Sequence, residues 1–62
     1  MAMATLEDVV ARAANLMLQK HGARAEFMAE VRTRELRAEG EEQAAALWAD
    51  VTRVLSREAG SR

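Results

Sequence analysis

The residues of this chain that could do chemistry are few, and their spacing does not bring them together. There is no cysteine, and His21 is the sole histidine. A thiolate nucleophile, a disulfide and a Cys/His zinc site are therefore excluded, because carboxylates alone make poor zinc ligand sets. Histidine changes charge near neutrality and can serve as a base or a metal ligand, but here it has nothing to work with. The serines are Ser56 and Ser61, both near the C-terminal end, so a nucleophile, a base and an orienting group cannot be assembled. His21 stands where a helix should end, just before Gly22, and reads as a helix-terminal cation near the last carbonyls. No catalytic, cofactor-binding or metal-ligating residue is assigned. The chain is expected not to be an enzyme, to need no cofactor and to take no small-molecule substrate.

A second chemistry to consider is phosphate binding by Arg24, Arg32, Arg34 and Arg37. Glu26, Glu30, Glu35 and Glu39 are interleaved with them, and the whole chain balances nine basic against ten acidic residues for a net charge of −1. Arg32, Arg34 and Arg37 also point in different directions on a helix, which reads as a solvated surface with i, i+4 pairs such as Glu30 to Arg34. Nucleic acid is not expected as a partner on this balance. The alternative is a dimeric nucleic-acid-binding regulator in which association gathers Arg32, Arg34 and Arg37 onto one surface, and a second alternative is an accessory subunit of an enzyme complex.

The elements that must position these residues are helices. Proline is absent, glycine occurs three times, and alanine, leucine, glutamate and arginine lose little on entering a helix. Sixty-two residues make one domain at most, so residues 1–62 are read as a single helical domain with 1–4 and 59–62 frayed. The expected architecture is all-α, a small three-helix bundle with helices at about 6–21, 23–39 and 41–58. Thr5 and Asp8 form a capping-box pattern ahead of helix 1. Gly22 and Gly40 supply the terminators of helices 1 and 2. Glu41 and Glu42 suit the positive end of helix 3. A continuous helix through Gly40 is disfavoured, because the track Phe27, Val31, Arg34, Ala38, Glu41, Ala45, Trp48 meets charges twice.

Apolar spacing then gives the expected core. Leu6, Val9, Val10, Ala13, Leu16 and Met17 form the stripe of helix 1, and Ala44, Leu47, Trp48, Val51, Val54 and Leu55 that of helix 3. Helix 2 carries two stripes, Phe27, Val31 and Ala38 with Met28 beside them, and roughly opposite them Ala25, Ala29 and Leu36. Glu26, Glu30, Thr33 and Arg37 form its polar strip. The core is assigned to Leu6, Val10, Met17, Phe27, Val31, Leu47, Trp48, Val51 and Leu55, with Trp48 inside as the middle of the strongest stripe. Three short helices cover one stripe each, so Ala11, Ala14, Leu18, Ala25, Ala29 and Leu36 are surplus and are taken as an interaction surface. A homo-oligomer or a protein partner is expected on that ground. The pattern leaves open whether helix 3 packs within its own chain or onto a neighbour.

Residues 21–51, HGARAEFMAEVRTRELRAEGEEQAAALWADV, resemble small helical proteins of proteobacteria that share a His-Gly step, an alanine-rich helix with an arginine, a leucine near a glycine and a closing tryptophan. The matching positions are His21, Gly22, Ala25, Ala29, Arg32, Leu36, Gly40, Trp48 and Val51, about half the chain. The resemblance implies a bacterial, cytosolic origin and assigns no activity. Leu36, Gly40, Ala44, Trp48 and Val51 also look like the junction of a tetratricopeptide hairpin, but the loop is one residue short and no second copy follows. No apolar run approaches the ~20 residues of a membrane span. The start MAMATLEDVV lacks the basic residue of a secretory signal, and the expected location is the cytoplasm. Met3 is a second candidate start, after Met1 and Ala2.

Overall fold

The computed structural model describes residues 5–60, which are almost wholly helical, with no strand among them. Three helices are formed, α1 (Leu6–His21), α2 (Ala25–Ala38) and α3 (Glu42–Gly60), with a single 3-10 turn at Gly22–Arg24 between the first two. No non-helical residue interrupts the backbone from Leu6 to Ala38. α1 and α2 are thus two arms of one long bent helical segment, and α3 is the other segment. This corrects the expected bundle of three separate helices. Gly22 bends the chain, but Ala23 and Arg24 are good helix formers and resume helical turns at once, where a proline or asparagine would have opened a loop. The bounds shift accordingly. Ala23 belongs to the 3-10 turn, Glu39 and Gly40 form a turn, and α3 begins at Glu42 and continues through residues 59 and 60, which the sequence assigned to a frayed tail. Residues 1–4 and 61–62, including Met1 and Ala2, lie outside the described residues.

Local chemistry explains each boundary. Thr5 accepts from the Asp8 amide and its own amide donates to the Asp8 carboxylate, both at 3.2 Å, so the capping box forms as expected. Gly22 closes α1 at φ 55°, its amide donating to the Leu18 carbonyl. α2 ends in a Schellman motif. The Glu41 amide donates to the Leu36 carbonyl at 2.9 Å and the Gly40 amide to the Arg37 carbonyl at 3.1 Å, with Gly40 at φ 80°. A Cβ on either glycine would meet nothing within 4 Å. Glycine is therefore required at both corners for backbone conformation and not for space.

α3 packs on α1 and α2 of its own chain, most extensively on α2. The core joins Val10 and Ala14 of α1, Ala25 and Ala29 of α2, and Val51 and Leu55 of α3, with Ala13, Met17, Leu47, Trp48 and Val54 packed partly buried around it. Val10, Val51 and Leu55 are buried as expected, and Met17, Leu47, Trp48 and Val31 are half-buried. Two assignments to the core are overturned. Leu6 is 66% exposed and Phe27 58%. Leu6 stands in the first turn of α1 at the rim of an open seam with α3, and α2 turns its other stripe inward. Ala25, Ala29 and Leu36, assigned to an outer surface, are buried, and so is Ala14. Thr33 belongs to this inward face as well. Its hydroxyl donates to the Ala29 carbonyl at 2.9 Å, which satisfies the buried oxygen within its own helix.

Because Ala29 has no exposed surface, Ala29→Leu should force helices apart and cost about 1–3 kcal/mol, whereas Leu6→Ala should stay within about 0.5 kcal/mol. Thermal unfolding followed by circular dichroism decides between them. A Leu6→Ala loss equal to that of Ala29→Leu would refute the assignment of inner and outer faces.

Candidate interaction surfaces

Three surface features are left once the core is accounted for. The first is a groove between α1 and α3. Its wider part, about 500 Å³, lies between Leu6, Glu7 and Ala11 on one side and Asp50, Arg53 and Arg57 on the other. A narrower part of about 170 Å³ continues along Ala11, Ala14 and Leu18 opposite Val54 and Glu58. The α1 shoulder that the sequence marked as surplus is thus one wall of this groove, with Ala14 as its buried floor. Asp50 and Arg53 are ion-paired at the mouth. The α3 wall was missed in the sequence because Asp50, Arg53 and Arg57 lie on the polar side of that helix and read as solvent-facing.

The second feature is the other shoulder of α1, where Val9 and Leu16 are both exposed. They stand seven residues apart, two turns along one side of the helix. The third is the outward face of α2, with Phe27 and Ala38 exposed and Val31 half-buried. Of the surface residues assigned from sequence, the structure therefore brings Ala11, Ala14 and Leu18 together in the groove and withdraws Ala25, Ala29 and Leu36 into the core. Val9, Leu16 and Phe27 take their place outside.

The charged side chains are arranged in local pairs. Arg34 lies 3.1 Å from Glu30 and Arg32 lies 3.4 Å from Glu35, each exposed and one helical turn apart. Such pairs contribute about 0.3–0.5 kcal/mol each. Their larger consequence is that two of the four arginines considered for phosphate contact, Arg32 and Arg34, are already paired with a neighbouring carboxylate. His21 is half-buried at the end of α1. Among the described residues no group of three or more His, Cys, Asp or Glu side chains could hold a metal ion, and no helix is long and apolar enough to cross a membrane.

Compared with protein-family models, curated proteins and solved structures, the chain matches none.

With Arg32 and Arg34 held by glutamates, neither DNA nor RNA should be retarded by this protein in a gel-shift assay at about 50 mM salt, where phosphate contacts are strongest. A retarded band that fades as salt is raised would overturn that expectation and restore the nucleic-acid alternative.

Proposed function

We propose that this protein is a non-enzymatic helical interaction protein whose partner is a second copy of itself. The observation that carries the reading is the distribution of side-chain size. Among the described residues, eight hydrophobic side chains are buried, and four of them are alanines, Ala14, Ala25, Ala29 and Ala45. Five larger ones, Leu6, Val9, Leu16, Leu18 and Phe27, are exposed. Half of the buried hydrophobic positions are thus filled by the smallest apolar residue, while five large apolar side chains stand in water.

That distribution has an energetic cost. Burying a large apolar side chain contributes about 1.5–3 kcal/mol relative to leaving it in water. A chain of this size without disulfides or metal rarely draws more than about 3–5 kcal/mol from its own core. Association adds burial that the single chain forgoes, and it couples folding to concentration. The thin inventory of acids, bases and nucleophiles supports a non-enzymatic role, and the cytoplasm is the compartment proposed for it on the sequence grounds above.

The molar mass from light scattering should rise with concentration towards that of a dimer or larger assembly. Phe27→Glu should lower the mass to that of one chain while helical circular dichroism is kept. Leu36→Glu, placing a charge at a buried position, should instead unfold the chain. A mass of one chain at every concentration would refute the proposal.

A further inference from the structure

Resting on the self-association proposed above, we infer that the second copy pairs with the outward face of α2 in antiparallel register, about a two-fold axis level with the step from Arg32 to Thr33. Phe27, Val31, Arg34 and Ala38 succeed one another along that face at spacings of four, three and four, so they form one continuous stripe. Phe27, Arg34 and Ala38 are exposed and Val31 is half-buried. α2 spans Ala25–Ala38, so this axis falls within one residue of its middle and the two copies overlap along nearly the whole helix.

Size and charge both select this register. The axis sets Phe27 opposite the partner's Ala38 and Val31 opposite the partner's Arg34. The one large aromatic then meets the one small residue of the stripe at each end, while the arginine stem covers the valine and its guanidinium reaches the edge. A parallel pairing would stack Phe27 on Phe27 at one end and leave facing alanines at the other, crowding one and opening a gap at its opposite. Along one edge of the stripe lie Glu30, Arg34 and Arg37. In the antiparallel register Glu30 falls level with the interval between the partner's Arg34 and Arg37, and the reciprocal contacts follow from the symmetry. The existing 3.1 Å pair of Glu30 with Arg34 already holds these side chains on that edge. A contact made by one 14-residue helix stays below the roughly 800 Å² per partner of a standard interface, so the dimer is expected to dissociate on dilution.

The absence of native cysteine permits a direct test. Phe27→Cys and Ala38→Cys variants of the full chain are mixed and oxidised, and the cross-linked species are identified by mass. A disulfide needs Cα atoms within about 7 Å. Positions 27 and 38 of opposing copies meet this in the proposed register, whereas two copies of position 27 would be about 16 Å apart along the helix. Mixed dimers should exceed either like dimer by roughly tenfold. Like dimers in excess would overturn the register in favour of parallel pairing. Because Phe27→Cys also removes the ring, a second pair keeps the test decisive. Glu30→Arg alone and the double variant Arg34→Glu, Arg37→Glu alone should each dimerise roughly tenfold more weakly, and their mixture should recover the lost affinity through opposite charges. No recovery on mixing, with the unaltered protein still a dimer by light scattering, would overturn the register and leave self-association standing. An unaltered protein that is a monomer throughout would overturn both.

Discussion

The close approach of α2 to its neighbours is the constraint on which the rest of the structure depends. Ala25 and Ala29 on α2, Ala45 on α3 and Ala14 on α1 are buried and carry nothing beyond Cβ, which permits the helices to approach towards the short end of the usual 8–10 Å interaxial range. At that separation the core has room for Val10, Val51, Leu36 and Leu55 and for little else. The remaining large side chains pack around its edge, as Met17, Leu47 and Trp48 do, or stand outside it, as Leu6, Leu16 and Phe27 do. Close packing of small residues gives a well-filled interior but a modest total of buried apolar area, and the balance of that area is on the surface.

Short connections enforce the approach. Between α1 and α2 the chain spends one 3-10 turn, and between α2 and α3 only Glu39, Gly40 and Glu41. The Schellman bonds from the Gly40 and Glu41 amides reverse the chain within this interval, so α3 returns directly along α2. The bend at Gly22 is equally compact and keeps α1 near the open end of the α2–α3 hairpin, where Val10 and Ala14 meet Val51 and Leu55. These corners rest on two positive-φ glycines with open space around them. Backbone conformation at two positions thus governs which side chains can touch.

Much of this was legible in the sequence where a rule acts locally. The capping box at Thr5, the terminators Gly22 and Gly40, the helical content and the pair Glu30 with Arg34 each depend on residues within a turn of one another. The stripe of α3 was also readable, because its apolar residues share one arc and the polar ones another. Helix 2 was different. Its two apolar stripes suit a helix packed against two neighbours, with Ala25 and Ala29 small enough for a close approach, yet Phe27 and Val31 were assigned to the core and Ala25, Ala29 and Leu36 to the surplus surface. The separation of the helices makes the choice instead, and that is a tertiary quantity. The α3 wall of the groove was hidden for a related reason, since charged residues at the border of a stripe can line a seam with their stems while their heads remain in water.

Polarity alone therefore does not sort α2. Its inward face carries Ala25 and Ala29 with Leu36, while Phe27 lies outside with Ala38, and Thr33 shows how far small side chains are accepted on that face. A threonine is accepted inside because its hydroxyl returns to the Ala29 carbonyl, while a phenylalanine six residues earlier is left outside. Such an inversion is unfavourable for a chain that remains alone, since water is kept against the largest apolar groups. It is consistent for a chain that finishes its burial against another helix, because a large side chain on a convex outer face can enter the space above a small residue on an opposing one. Phe27 and Ala38, at opposite ends of the same outward stripe, are the residues through which short connections inside the chain bear on how two chains would meet.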